Sequence, residues 1–109
     1  MKLTFIYQPV DDLTASVNFH RDVLGFEEAW REGDDTVSFW LPGRSAQLML
    51  STDPKPSGPM YLVDSLESWM RDNAQYTVVI SPYAIPNGSV AGFEAPGGGV
   101  FYVFDQPGA

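Results

Sequence analysis

The chain offers few side chains that could carry acid–base or nucleophilic chemistry. It has one histidine, His20, and no cysteine, which excludes disulfides, thiolate nucleophiles and cysteine-based zinc sites. The other candidate proton donors and acceptors are Tyr7, Tyr102 and Glu94. Catalysis by His20 would need a partner nucleophile or carboxylate within reach of the same substrate, and the spacing of these residues places no such pair. The elements that carry them therefore decide what they can do.

His20 lies in the segment SVNFHRDVLGF, residues 16–26, which has the pattern of an amphipathic helix. The aspartate pair at residues 11–12 precedes it and supplies an N-cap, and Gly25 is a natural residue to end it, with Phe26 making the apolar contact that follows. The apolar stripe comprises Leu13, Val17, Phe19, Val23 and Leu24. We interpret the segment as scaffold, because a lone histidine on a helix is more often a packing or surface residue than a ligand.

The composition limits the classes of function. A chain of 109 residues with 44% hydrophobic residues is long enough for one compact domain with a modest core. The formal net charge of -8 argues against nucleic-acid binding, because the phosphate backbone attracts basic surfaces. It permits a cationic partner, although solubility alone also accounts for it. No apolar stretch is long enough for a signal peptide or a membrane span, so we expect a cytoplasmic protein without membrane contact.

The sequence contains an internal repeat. VDDL at residues 10–13 matches VDSL at residues 63–66, and FWLPG at residues 39–43 matches FEAPG at residues 93–97. The two offsets, 53 and 54 residues, agree to within one position. Two matches in the same order indicate a duplicated unit of about fifty residues.

Each unit has the same predicted order of elements, β-α-β-β-β. Strands rich in β-branched and aromatic residues alternate with turn signals such as GDD and PGGG, and Asp64 is the expected N-cap of the second helix. We predict one α+β domain over residues 1–109, with module 1 at about 1–51, a Pro-rich linker at 52–58 and module 2 at about 59–109. Each helix should cover one face of a sheet and leave the other face free to line a cavity.

The segment VDDLTASVNFHRDVLGF resembles the vicinal oxygen chelate superfamily, which includes glyoxalase, bleomycin-resistance proteins and extradiol dioxygenases. Its pattern of V-x-D-L, then S-x-x-F-Y, then L-G-F is matched except that His20 replaces the tyrosine. The closing segment FEAPGGGVFYVFD is similar to the family's F-x-D-P-x-G-N strand, with Ala95 and Gly99 departing from it. The matching positions are Val10, Asp12, Leu13, Ser16, Phe19, Leu24, Gly25 and Phe26. The resemblance implies two tandem βαβββ modules forming a curved mixed sheet around a cavity, and a homodimer.

The resemblance also implies where a metal would be bound. Enzymes of the family hold a divalent ion with histidine, glutamine or glutamate side chains from the first and last strands of each module. Aligned on the motifs, those positions are Phe5, Leu48, Gly58 and Tyr102. Phenylalanine, leucine and glycine side chains cannot ligate a cation. We therefore expect no metal and no cofactor, which places the chain nearest the metal-free bleomycin-resistance-like branch.

The same positions suggest a ligand site lined by aromatic and aliphatic residues. The expected ligand-binding residues are Phe5, Tyr7, Trp40, Leu48, Leu50, Tyr102 and Phe104, with Trp30 as a further wall residue. The alternative is that these aromatics fill a smaller core. The acids of the first hairpin are Glu27, Glu28, Glu32, Asp34 and Asp35. A solvated turn accounts for such a cluster and is the commoner case, but this hairpin borders the cavity mouth in the family, where its charge would favour a cation.

These inferences lead to a metal-independent small-molecule binding protein that sequesters a planar aromatic or cationic ligand, such as an antibiotic. The alternative is a metal-independent lyase or isomerase on the same fold, using Tyr7, Tyr102, Glu94 or His20. A metal-dependent lyase or dioxygenase is disfavoured by the missing ligands, and an interaction subunit without a ligand stays open. Fold alone does not choose among them.

Overall fold

The computed structural model describes residues 1–109. The chain forms two compact units. One consists of Thr4–Ser57 and is called the N-terminal unit. The other consists of Met1–Leu3 together with Gly58–Ala109 and is called the C-terminal unit.

The N-terminal unit is a mixed sheet covered on one face by a helix. The strand order is β2-β3-β4-β1, with β1 parallel to β4 and the other neighbours antiparallel. Its core packs Val17 of the helix against Val37, Phe39 and Leu50 of the sheet. The elements are β1 (Lys2–Pro9), α1 (Leu13–Asn18), a π-helical turn (Phe19–Val23), β2 (Glu28–Glu32), β3 (Thr36–Trp40) and β4 (Gln47–Ser51).

The C-terminal unit repeats this arrangement. Its strand order is β5-β8-β7-β6, with β5 parallel to β8 and the other neighbours antiparallel. Leu66 of the helix packs on Ala91, Phe93 and Val103 of the sheet. The elements are β5 (Gly58–Leu62), α2 (Leu66–Asp72), β6 (Val78–Ile85), β7 (Gly88–Glu94) and β8 (Val100–Asp105).

The predicted α+β class and the βαβββ order of both modules are confirmed. The duplication is visible in the pairing, because the first and last strands of each unit run parallel and the middle strands run antiparallel. No helix combines the length and apolar character needed to cross a membrane.

The N-cap prediction is confirmed for α1 and wrong for α2. The Asp12 carboxylate accepts a hydrogen bond from the Ala15 amide at 3.0 Å. In α2 the cap is Ser65, one residue after the predicted Asp64, and its hydroxyl oxygen accepts from Ser68 N at 3.2 Å. Both residue types cap helices well, so their adjacency in the sequence left the register of α2 undetermined.

The predicted single α-helix over the segment that contains His20 is wrong in its second half. From Phe19 onward the chain forms a π-helical turn, and Leu24 N donates to Phe19 O at 3.0 Å. A π turn inserts one extra residue, which rotates the following side chains out of the expected stripe. Val23 is 69% exposed as a result. Gly25 still ends the helix with φ of 73°, and Phe26 still packs on the core, as predicted.

Candidate functional site

The two faces of the N-terminal sheet carry different residues. One face packs against α1 through Val37, Phe39 and Leu50. Because side chains alternate along a strand, the intervening residues point to the opposite side, which we call the aromatic face. Strand register assigns to it Phe5, Tyr7, Trp30, Glu32, Ser38, Trp40, Gln47 and Met49.

Three of the sequence-predicted ligand residues, Phe5, Tyr7 and Trp40, share the aromatic face, and Trp30 joins them. Phe5 and Trp30 meet edge to face, with ring centroids 5.9 Å apart. Tyr7 is buried and its hydroxyl donates to the Asp53 carbonyl oxygen at 2.6 Å. Offset or edge-to-face contacts of this kind are how aromatic rings pack, so the face is a preformed aromatic surface.

Leu48 and Leu50 do not belong to this face, so the prediction that they line it with Phe5 and Tyr7 is wrong. Leu50 is completely buried in the core under α1, and Leu48 packs against that core. The strand alternates with a period of two residues, so an alignment shifted by one position exchanges the faces. Gln47 and Met49 occupy the aromatic face in place of the two leucines.

Tyr102 and Phe104, the remaining predicted ligand residues, lie on β8 of the C-terminal unit. They point away from α2, because Val103 between them packs against that helix. Tyr102 is 1% exposed and Phe104 is 2% exposed. Burial this complete favours, for these two residues, the alternative that aromatic side chains fill the core.

The aromatic face also contains a polar pair that was not predicted from the sequence. Ser38 is fully buried, and its hydroxyl donates to Gln47 Oε1 at 2.8 Å. Gln47 lies between Phe5 on one neighbouring strand and Trp40 on the other. The alternation of β3, in which buried Val37 and Phe39 flank Ser38, is the signal that would have placed this serine away from α1.

Salt bridges neutralise part of the acidic hairpin. Glu28 accepts two hydrogen bonds from Arg31, at 2.9 and 2.6 Å, which together with the charge of Arg31 hold the pKa of Glu28 below its ordinary value. Glu27 pairs with Arg44. Of the five acids, register places Glu32 on the aromatic face, beside Thr36 of β3. Glu32 is therefore the acid of this hairpin that shares a face with the aromatic rings.

The candidate acid–base groups are dispersed. His20 stacks on Phe39, with centroids 5.8 Å apart, and its Nδ1 lies 2.7 Å from the Ser16 carbonyl oxygen. It therefore lies on the α1 side of the sheet, opposite Tyr7. Glu94 is exposed at the end of β7. His20 is a packing residue, as the sequence indicated, and it forms no catalytic pair with Tyr7.

The residues at the family's metal positions do not fit a metal. Phe5 has no donor atom, Leu48 lies on the opposite face, and a Cβ atom at Gly58 would collide with the carbonyl oxygen of Val100. Glycine at position 58 is thus required by the close approach of β8. Gln47 offers one amide oxygen, which accepts a hydrogen bond from Ser38, and a single neutral oxygen is too few donors for a divalent ion. No group of three or more histidine, cysteine, aspartate or glutamate side chains could hold an ion.

A cleft of about 360 Å³ lies between α1 and the first hairpin. Its lining includes the apolar residues Leu13, Val17 and Val37 and the two arginines Arg21 and Arg31. Val37 belongs to the face that packs on α1, so this cleft is separate from the aromatic face. None of the seven predicted ligand residues lines it.

Comparison with known proteins identifies one family and many structures of the same fold. The model of the Glyoxalase/Bleomycin resistance protein/Dioxygenase superfamily matches residues 2–106. A comparison with curated protein sequences finds no match.

Three similar structures illustrate the range of proteins that share this fold. A superfamily member from Vibrio splendidus 12B01 is 20% identical, with 94% of this chain and 96% of that chain covered and a TM-score of 0.66. A protein described as NAD-dependent benzaldehyde dehydrogenase from Legionella pneumophila is 14% identical, with coverage of 94% and 97% and a TM-score of 0.76. Methylmalonyl-CoA epimerase from Mycobacterium tuberculosis is 18% identical, with coverage of 96% and 87% and a TM-score of 0.67. At these identities the likeness shows the fold alone.

Proposed function

The chain belongs to the glyoxalase/bleomycin resistance protein/dioxygenase superfamily, and within that family we propose that it is a metal-independent binding protein for planar aromatic cations. The observation that carries the proposal is the aromatic face of the N-terminal sheet. Phe5, Trp30 and Trp40 share it, and all three are only partly buried. Partly exposed rings on a rigid sheet suit stacking, where one good contact contributes about 0.5–1.5 kcal/mol beyond burial.

The charge distribution supports selection of cations. The chain carries a formal net charge of -8, and Glu32 extends this negative potential onto the aromatic face. Negative potential raises the arrival rate of cations and lowers that of anions. The face of a tryptophan ring itself attracts cations, so both effects favour the same class of ligand. Basic aromatic antibiotics belong to that class.

The side chains at the family's metal positions support a function without metal chemistry. Phe5 and Gly58 offer no ligating atom, and Tyr102 could ligate only as a phenolate. The proposed activity is therefore reversible binding, which lowers the free concentration of the ligand. It needs neither a Lewis acid nor an acid–base pair.

We also propose that the protein acts as a homodimer. Strand β6 is the outer strand of the C-terminal sheet and has no charged residue, and its Val78 and Val79 are 41% and 45% exposed. An uncharged edge strand with exposed valines is a surface that pairing with a second copy would cover. Light scattering should give about twice the 12.0 kDa of one chain. A mass near one chain at micromolar concentration would contradict the dimer.

Calorimetry with matched planar ligands tests the binding function. We expect 1-methylquinolinium to bind more tightly than quinoline-3-carboxylate, which has a similar ring and opposite charge. Trp40→Leu should weaken binding of the cation, whereas Phe19→Leu, at an aromatic residue on the π-helical turn, should leave it unchanged. Equal binding of the anion, or equal effects of the two variants, would refute the proposed site.

A further inference from the structure

Gln47 is the central residue of a row that crosses three strands of the N-terminal sheet. It pairs with Phe5 on β1 and with Trp40 on β3. Adjacent strands are about 4.8 Å apart, so an amide between these rings is within reach of any planar group that stacks on either of them. Its two neighbours in the row are aromatic.

The hydrogen bond from Ser38 orients this amide. Ser38 is fully buried, and its hydroxyl donates to Gln47 Oε1 at 2.8 Å. The acceptor end of the amide is thereby engaged, which leaves the Nε2 group, with two N–H donors, as its other polar end.

The Nε2 group is accessible to solvent. Gln47 makes one side-chain hydrogen bond, through Oε1. No buried side-chain nitrogen or oxygen in the structure lacks a partner, and Gln47 is only partly buried. An unpaired Nε2 is therefore not a buried atom. It is a donor on the aromatic face with some exposure to solvent.

We propose that Gln47 determines ligand specificity by donating a hydrogen bond from Nε2 to a neutral carbonyl on a planar cation stacked beside it. The inference rests on the proposed binding function and adds the functional group that the ligand carries. A carboxylate would also accept the bond, but Glu32 on the same face and the net charge of -8 oppose it. Ser38 is a positioning residue, which acts through Gln47.

Two quinolinium ions that differ in one group provide the probe. The first, 3-acetyl-1-methylquinolinium, has a ketone acceptor and no donor; the second, 3-ethyl-1-methylquinolinium, has neither and carries the same charge. The wild-type protein should bind the ketone about three- to tenfold more tightly, the contribution of one hydrogen bond between neutral groups. The ratio of the two dissociation constants is the readout, since a purely structural effect weakens both ligands equally.

Gln47→Glu is the decisive variant, because its carboxylate still accepts from Ser38 but has no proton to donate. Preference for the ketone should disappear or reverse. Gln8→Glu adds the same charge on the opposite face of β1, where Gln8 pairs with Leu50, and should keep the wild-type preference. Ser38→Ala should reduce the preference without abolishing it.

The outcomes separate the two proposals. Equal binding of both quinolinium ions by the wild-type protein, or an unchanged ratio in Gln47→Glu, overturns the role of Gln47 and leaves the binding function intact. If neither ion binds, the binding function fails and the role of Gln47 fails with it.

Discussion

The guanidinium of Arg44 lies over the ring of Trp40, with its carbon 4.6 Å from the ring centroid. Arg44 comes from the loop between β3 and β4 and also pairs with Glu27. The chain therefore places one of its own cations on a ring of the aromatic face. A cationic ligand that stacks on this side of Trp40 must compete with Arg44, and the exposed arginine head group can move away.

Removing this internal cation should strengthen ligand binding. A cation–π contact at an exposed site is worth about 0.5–1 kcal/mol, so Arg44→Ala should bind 1-methylquinolinium roughly two- to fivefold more tightly. Arg71→Ala removes another exposed arginine, from α2, where it pairs with Asp72, and controls for the change in net charge. Calorimetry on both variants measures the effect. Weaker binding by Arg44→Ala would mean that Arg44 contacts the ligand itself.

Glu32 should act on ligands through long-range charge. Glu32→Gln is expected to weaken binding of 1-methylquinolinium at low salt and to have little effect at physiological salt, where the Debye length is about 8 Å. Asp34→Asn removes the same charge beside the cleft on the α1 side and should have a smaller effect. Titrations at two ionic strengths provide the comparison. A loss in Glu32→Gln that is independent of salt would indicate direct contact instead.

The metal content should be below stoichiometric. Position 58 is glycine because a side chain there would collide with the carbonyl oxygen of Val100, and Phe5 has no donor atom. Elemental analysis of protein purified without chelator should find neither zinc, nickel, iron nor manganese at one ion per chain. If one ion per chain is found and the Gln47→Met variant no longer contains it, the ion is bound at the aromatic face and the protein is not metal-independent.

Asp105 should be important for the stability of the C-terminal unit. It is only 7% exposed, and its two carboxylate oxygens accept from Leu66 N at 2.7 Å and from Ser89 N at 3.0 Å. Asparagine has one acceptor oxygen, so Asp105→Asn leaves a backbone N–H without its partner. We expect a loss of about 1–3 kcal/mol in urea unfolding. Asp72→Asn, at an exposed residue of α2, is the matched control and should be nearly neutral.

The Glu28–Arg31 pair predicts a dependence of stability on pH. Hydrogen bonds and charge from Arg31 lower the pKa of Glu28 from its ordinary value of 4.5. A carboxyl group with a lowered folded-state pKa stabilises the protein above its unfolded pKa, and this contribution is lost as the pH falls through the folded value.

Arg31→Gln should therefore reduce Tm at neutral pH, and its difference from the wild-type protein should shrink below pH 4.5. Thermal unfolding from neutral pH to about pH 3 measures this. Arg71→Gln removes the same charge from a wider and more exposed pair, in which Arg71 lies 3.5 Å from Asp72, and is the control for the change in net charge. If the difference in Tm between Arg31→Gln and the wild-type protein stays constant with pH, the loss of stability comes from packing of the Arg31 side-chain stem and not from the ion pair.

Local chemistry made much of the fold predictable. The repeat of VDDL and FWLPG indicated two modules, and the alternation of apolar residues indicated their strands. Asp12 and Gly25 mark the ends of the first helical segment because each satisfies a requirement of the backbone nearby, a capping acceptor and a positive φ. Such requirements depend on neighbours along the chain and can be seen without tertiary structure.

Patterns of residue types along the chain were sufficient to predict the βαβββ modules, the aromatic character of β1 and β3, and the lack of donor atoms at Phe5 and Gly58. The tertiary structure decided which face of β4 meets the helix, and hence that Gln47 and Met49 share the aromatic face while Leu48 and Leu50 do not. A strand rich in apolar residues on both faces, such as QLMLS, has no periodicity from which to choose. The face of β4 that meets the helix is set by pairing with β3, where buried Val37 and Phe39 lie opposite Leu50 and Leu48. This pairing joins residues that are distant along the chain, so local sequence patterns do not reveal it.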